Sequence, residues 1–292
     1  MSSVNDKVVF ITGGARGVGA DVARRLRRKN AKLVLTDIDA APLAELAAEL
    51  GEDHVLTAVA DVRDLSAMQA VADRAIERFG GIDVVVANAG IATYGSVLQV
   101  DPEAFKRLMD INVNGVFHTV RATLPSVIER RGYVLIVSSF AAYAAGPGLA
   151  AYHASKAATE HFANALRLEV AHHGVDVGSA HMSWIDTPMV QDAKKDLSSF
   201  GEMLSKMPSP LGKTTSVDKC GEEFVRGIEG RKRRVNVPGW VGAFRWLRPA
   251  LSTSVGERSI AGMVPTILPK MDAEVAALGR STSSRLEELE TN

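Results

Sequence analysis

The chain has 292 residues, of which 46% are apolar and 23% charged, and lysine plus arginine equals aspartate plus glutamate at 34 each. That composition can fill a sizeable core, and its zero net charge gives no overall reason to expect nucleic-acid binding. A single cysteine, Cys220, excludes an intramolecular disulfide, and no cysteine–histidine spacing suits a metal ion.

The start, Met1 to Lys7, lacks the basic, apolar and small-residue succession of a secretory signal. No apolar stretch reaches the length of a membrane span, so a cytoplasmic protein is the expectation. From Val8 onward, short β-branched runs alternate with helical segments. The runs cover 8–12, 32–36, 54–59, 82–87, 133–137 and 175–181, and a last strand is expected at 234–237. They are nearly continuous in Val, Ile, Leu and Ala, the pattern of parallel strands covered on both faces. Helical segments are expected at 21–29, at 41–50 up to Gly51, and at 65–79 up to Gly80-Gly81. Asp101 is an N-cap with Pro102 in the first turn behind it, which opens a helix running towards Asn112. The alternation predicts an α/β fold over residues 1–238: a doubly wound, Rossmann-type parallel sheet of about seven strands, with helices on both faces.

Residues 239–292 read as a C-terminal extension packed on that domain. Between Arg231 and Lys270 there are eight basic residues and one acid, Glu257, and after Met271 the balance turns acidic. Trp240, Phe244, Leu247 and Leu251 share one helical stripe, with Arg245 and Arg248 off it. Two roles stay open for 239–270: covering a pocket or a subunit contact, or peripheral attachment to an anionic membrane surface.

The first strand ends in Thr12-Gly13-Gly14-Ala15-Arg16-Gly17-Val18-Gly19 and a helix follows. Gly13, Gly17 and Gly19 allow a tight turn and close approach of backbone to a pyrophosphate. Arg16 and Val18 lie in the same loop, where the helix N-terminus offers free N–H groups and partial positive charge. The second strand ends at Asp37, whose carboxylate can accept hydrogen bonds from ribose hydroxyls and repels a 2′-phosphate. Ile38 follows it, so NAD is favoured over NADP. Arg16 pulls the other way, because a basic group there can pair with a 2′-phosphate.

The fifth strand runs into Ser138-Ser139, with Tyr152 thirteen residues past Ser139 and Lys156 four residues further on. Tyr152 and Lys156, one helical turn apart, point to the same side. These residues, together with Asn112 and the glycine loop, resemble the single-domain branch of the short-chain dehydrogenase/reductase family. Asn88-Ala89-Gly90 resembles that family's motif after strand four, with Ala87 in place of its first Asn. Asp61-Val62 resembles its adenine-contacting pair, and Ile185 and Thr187 match positions that contact the nicotinamide carboxamide. The resemblance spans roughly residues 5–240.

The resemblance implies an NAD(P)-dependent oxidoreductase in which Tyr152 is the general acid/base. Ser139 would polarise the substrate oxygen, Lys156 would hold the nicotinamide ribose and favour the phenolate, and Asn112 would fix a proton-relaying water. It also implies a homotetramer or dimer. The chain departs from the family at Met182-Ser183, where Pro-Gly is usual. Met189, Val190, Leu197, Phe200, Met203, Leu204, Met207 and Leu211, in the segment 189–213, suggest either an apolar pocket for a hydrophobic alcohol or ketone or simple packing of a helix pair. Phe140, Tyr143 and His153 are further candidates for the pocket wall. An NADPH-dependent ketone reductase and a non-catalytic nucleotide-binding redox sensor stand as alternatives.

Overall fold

A computed structural model describes residues 3–291. Its strands are β1 (Val8–Thr12), β2 (Lys32–Asp37), β3 (Val55–Val59), β4 (Val84–Ala87), β5 (Tyr133–Val137), β6 (Asp176–Met182) and β7 (Arg234–Val237). The helices up to β7 are α1 (Gly17–Arg27), α2 (Ala40–Leu50), α3 (Leu65–Phe79), α4 (Pro102–Met109), α5 (Gly115–Glu129), α6 (Ala150–Val170), α7 (Pro188–Asp196), α8 (Ser198–Lys206) and α9 (Val217–Glu229). After β7 come α10 (Val241–Leu251), α11 (Ser254–Ala261), α12 (Val264–Leu278) and α13 (Ser284–Thr291).

All seven strands pair in parallel, in the order β3-β2-β1-β4-β5-β6-β7. The winding reverses between β1 and β4, and that reversal opens a crevice at the carboxyl ends of the strands. Successive strand side chains point to opposite faces. Val9, Ile11, Leu33 and Leu35 therefore pack under α1, α2 and α9, whereas Val8, Phe10 and Val34 pack under α3, α5 and α6. Cys220 is buried among the first group, and burial pushes its thiol pKa up.

Local signals explain several boundaries. Asp64 accepts the backbone N–H groups of Ser66 and Ala67 at the start of α3, and Gly80, at φ +79°, closes its end. Asp101 caps α4 in the same way, with Pro102 in the first turn.

The structure also corrects the sequence reading. Helix α1 begins at Gly17, four residues before the expected 21, because the glycine loop itself forms the first turn. The helix that opens at Asp101 reaches Asn112 as expected and continues beyond it. It passes through one π turn, Asp110–Asn114, into α5. The wider turn rotates Asn112 inward, where it is fully buried. The segment 189–213 is mostly helical, forming α7 and α8.

Behind β7 the extension folds back over those two helices. Ile267, Met271 and Val275 of α12 bury against Phe200, Met203 and Leu204 of α8. Polar ties accompany them: Ser199 N–H donates to Glu274, Lys270 pairs with Glu202 at 3.0 Å, and Arg280 pairs with Asp196 at 2.9 Å. Among the described residues no helix is long and apolar enough to cross a membrane.

Candidate active site

A cleft of about 440 Å³ runs from the end of β2, past the glycine loop, to the N-terminal part of α6. The glycine loop forms its floor. Gly13 and Gly17 sit at φ +63° and +54°, in the left-handed region. A Cβ at Gly19 would overlap the Gly13 carbonyl oxygen, so only glycine lets the loop close on itself. Asn88 braces the loop from β4: its Nδ2 donates to the carbonyl oxygens of Thr12 and Gly13, both at 3.0 Å. The backbone N–H groups of Asn88 and Ala89 donate in turn to Thr12 Oγ1. Arg16 is the N-cap and makes no side-chain capping bond. The first N–H groups of α1 therefore face the cleft beside Val18.

At the β2 end, Asp37 lies largely buried. Its Oδ2 accepts from Ala15 N–H at 3.0 Å and its Oδ1 from Asp39 N–H at 3.2 Å. Burial raises its pKa, and these backbone donors oppose the rise. Arg16 does not face the cleft as a free cation. Its guanidinium forks onto Asp39, with Nε at 3.0 Å and Nη2 at 2.8 Å from the same oxygen. Two carboxylates and one neutralised guanidinium thus mark this end. Asp61 and Val62 line the next wall; Asp61 pairs with Arg63, and the Val62 carbonyl oxygen contacts His118 Nδ1 at 2.9 Å.

At the other end the structure brings Ser139, Tyr152 and Lys156 together. Ser139 caps a short turn after β5: Ala141 N–H donates to its Oγ at 3.1 Å, and that Oγ donates to the Met182 carbonyl oxygen at 3.3 Å. Ser138 Oγ donates to the Lys156 carbonyl oxygen at 2.8 Å, which locks α6 to the end of β5. Lys156 Nζ donates to the Val137 carbonyl oxygen at 3.0 Å and lies 5.7 Å from the centre of the Tyr152 ring. Burial lowers the Lys156 pKa to about 8. Burial also raises the Tyr152 phenol, against a hydrogen bond with Ser139 that favours its ionised form. The protein's own groups therefore leave Tyr152 protonated at neutral pH.

Asn112 joins the cluster from the π turn as a brace. Its Oδ1 accepts from Ile91 N–H, and its Nδ2 donates to the Ile91 carbonyl oxygen and to Ser155 Oγ. The side chain so holds the segment after Gly90 against α6. Gly90 lines the cleft beside Lys156. Ile185 and Thr187 also line it; Thr187 N–H donates to the Ile185 carbonyl oxygen at 2.7 Å in a tight turn before α7. Met182-Ser183 keeps the strand path: Ser183 N–H donates to the Val237 carbonyl oxygen at 2.8 Å.

Beyond Tyr152 the cleft becomes apolar. Met189, Val190, Phe200, Met203, Met207 and Leu211 line it, while Leu197 and Leu204 are packed between α8 and α12. The segment thus serves both as pocket wall and as helix packing. Phe140 lines the pocket, but Tyr143 does not. Tyr143 is buried behind the site with its ring stacked on His181 at 4.4 Å. His153 lines the pocket as a loop clamp: Nδ1 contacts the Ala141 carbonyl oxygen at 2.9 Å and Nε2 accepts from Gly146 N–H at 3.0 Å. Burial lowers its pKa, so the ring is neutral.

Sequence reasoning missed several site residues. Leu286 and Leu289 of α13, Ile260 of α11 and the ion pair between Arg285 and Asp192 at 3.2 Å all border the pocket. The leucines stand three apart in an acidic tail, a helical spacing that could have flagged an inward edge. It also missed a buried ionic cluster behind Ser139. The His181 Nδ1–H donates to the Ser139 carbonyl oxygen at 3.2 Å, and His181 Nε2 lies 2.8 Å from Glu160. Arg234 pairs with the other Glu160 oxygen at 2.8 Å. Burial alone would raise the Glu160 pKa, but His181 and Arg234 bring it down to about 2.

Residues 7–198 match the family model described as short chain dehydrogenase. Oxidoreductase UcpA of Salmonella typhimurium is 38% identical over 195 residues, 65% of this chain and 74% of that protein. An uncharacterized NAD-dependent oxidoreductase of Mycobacterium tuberculosis is 34% identical over 207 residues, 65% of this chain and 75% of its own length. Among solved structures, a short chain dehydrogenase from Mycobacterium paratuberculosis bound to NAD superposes with a TM-score of 0.70 at 28% identity. That match covers 80% of this chain and 96% of the other.

Proposed function

The chain belongs to the short-chain dehydrogenase family, a family of oxidoreductases, and we propose that it moves hydride between NAD and a hydrophobic secondary alcohol or ketone, with Tyr152 as general acid/base. The observation that carries this is one continuous cleft with a glycine loop and Asp37 at one end, and Ser139, Tyr152 and Lys156 against an apolar wall at the other.

The residues present fit a dinucleotide. The α1 N-terminus and its glycines provide an anion cradle, which closes because Gly19 has no Cβ to strike the Gly13 carbonyl oxygen. Asp37 would take the adenosine ribose hydroxyls, Asp61 and Val62 the adenine, Asn88 to Gly90 the cleft floor, and Ile185 and Thr187 the carboxamide. NAD over NADP is supported by Asp37 and by the pairing of Arg16 with Asp39, which removes the one basic group in the loop that could hold a 2′-phosphate.

The chemistry then falls to three side chains. When bound, an oxidised nicotinamide would supply the hydride acceptor and a positive charge. Tyr152 takes the alcohol proton in one direction and returns it in the other. An ordinary phenol needs about 4 kcal/mol of preference for the phenolate to work near pH 7, and burial in this site adds to that demand. Lys156, with a pKa of about 8, still carries its charge at neutral pH and opposes the penalty from within the same pocket. With substrate bound, Ser139 Oγ would turn its one hydrogen from the Met182 carbonyl oxygen to the substrate oxygen and stabilise the negative charge developing there. Asn112 acts by positioning the wall that Ile91 forms. The apolar lining supports a hydrophobic substrate.

Two measurements test this. In fluorescence titration, NADH should bind more tightly than NADPH, and Asp37→Ala should narrow the ratio; tighter NADPH binding would move the enzyme to the reductase alternative. Tyr152→Phe should abolish turnover of hydrophobic secondary alcohols while NADH still binds. Undiminished turnover in that variant would remove the mechanism, and NADH binding by the native chain with no turnover across a panel of alcohols would favour the sensor role.

A further inference from the structure

We propose that α10 docks on an anionic membrane surface and presents the mouth of the apolar pocket to the lipid. The helix is built inside out for a helix in water. Its inner edge, Phe244 and Leu251, lines the cleft that holds Tyr152, and Phe244 meets Phe140 edge-on at 4.9 Å. Its outward positions carry Ala243, Trp246, Pro249 and Ala250, all exposed and none polar. A surface helix ordinarily turns charged and polar residues to that side. Residues 245–250 are all exposed, so more than a full turn stands clear of the domain. Trp246 is 76% exposed and Leu247, expected to belong to the inner stripe, is 49% exposed.

The charge beside this face selects the partner. Arg245 and Arg248 flank it on one side, and Arg245 lies over the Trp246 ring at 4.7 Å. Neither arginine has an acidic partner among the described residues, whereas Arg234 and Lys270 on neighbouring elements are both paired. An interfacial tryptophan, a leucine and unpaired arginines on one exposed helix fit the headgroup boundary of an anionic bilayer, where the rings sit at the interface and the guanidinium groups meet phosphate. A lipophilic ligand leaving that bilayer would meet Phe244, Leu251 and Ile260 on its way to Tyr152.

Docking does not depend on the catalytic proposal, and the experiment reads binding alone. The full chain is sedimented with vesicles of phosphatidylcholine, with and without phosphatidylglycerol, at low and high salt. Binding to phosphatidylglycerol vesicles at low salt is expected, with loss at high salt. Arg245→Glu/Arg248→Glu should weaken it by about tenfold or more, and Trp246→Ser/Leu247→Ser should weaken it as well. Both variants change exposed side chains and should melt with the native chain. Absence of sedimentation at low salt overturns the proposal, as does binding that neither salt nor arginine reversal weakens. Self-association of the native chain that is lost in Trp246→Ser/Leu247→Ser, without vesicle binding, would show that a second copy covers this face instead.

Discussion

Replacing Arg234 by methionine should destabilise the fold by about 3 kcal/mol at pH 7. Arg234 reaches from β7 to Glu160 on α6, and the two side chains are 17% and 6% exposed. The Glu160 carboxyl titrates at about 2, against an ordinary 4.5. At about 1.4 kcal/mol per pH unit, that depression corresponds to roughly 3 kcal/mol from His181 and Arg234 together, with His181 ahead of Arg234, so the figure for Arg234→Met rests on the general cost of breaking a buried pair. Breaking a buried pair by removing one member costs ~3–5 kcal/mol in general, because the remaining charge stays desolvated. Methionine keeps most of the volume and removes the charge. Since the folded pKa lies below the unfolded one, this stability is complete above about pH 4.5 and is lost as pH falls towards 2. Native and variant chains should therefore converge in acid. Urea unfolding followed by circular dichroism, without added nucleotide, gives both numbers. Glu160→Gln alone should also destabilise, and the double variant should lose less than the sum of the singles by about 1 kcal/mol or more. Strict additivity, or a change within about 0.5 kcal/mol for Arg234→Met, would refute the cluster as an energetic unit. Because His181 links this cluster to the Ser139 carbonyl oxygen, Arg234→Met should also lower turnover.

Lys156→Met should abolish turnover and yet stabilise the nucleotide-free chain at pH 7, by up to about 3 kcal/mol. The buried ammonium titrates at about 8 in the fold instead of 10.5, so between those values the unfolded chain binds the extra proton and native stability should rise with pH. Urea midpoints at pH 7 and pH 10 check this; a less stable variant at pH 7 would contradict it. Gly19→Ala should weaken NADH binding by about tenfold or more with little loss of secondary structure, since its Cβ collides with the Gly13 carbonyl oxygen and presses on Asn88. Unchanged affinity in fluorescence titration would place the dinucleotide elsewhere.

The sheet was legible because its signals are local. The β-branched runs of β1, β2 and β5, the Asp101-Pro102 start and the Gly80 stop each act within a few residues of themselves. Ser139, Tyr152 and Lys156 could be placed for the same reason, since a strand end and one helical turn bring them together. What escaped depends on chains meeting late. The π turn at Asn112 leaves no mark in composition. The pairing of Arg16 with Asp39, 23 residues further along the chain, has no local signal either. Tyr143 has the character of a pocket residue, but the buried His181 offers it a stacking surface behind the site. Glu160, His181 and Arg234 come from α6, β6 and β7, and no spacing in one dimension relates them. Leu247 falls on the apolar stripe but is exposed, because the stripe meets the domain through Trp240 and Phe244, which pack on Phe140.

The strap formed by α12 and α13 bears on how the chain becomes active as it is made. Contacts such as Asp101 N–H to Ser281 Oγ join residues 180 apart in sequence, and Leu286 and Leu289 close a pocket whose other walls begin at Gly13. Chains emerge from the ribosome at ~5–20 residues per second and domains condense from the N-terminal side. The sheet and the glycine loop can therefore be in place while α7 and α8 still lack their covering. During that interval the apolar wall of Phe200 and Met203 is open to water and to other nascent chains. The glycine-loop end of the cleft matures first and the apolar end last, so a chain stalled before α12 would keep its glycine loop and lack the enclosure of the apolar end.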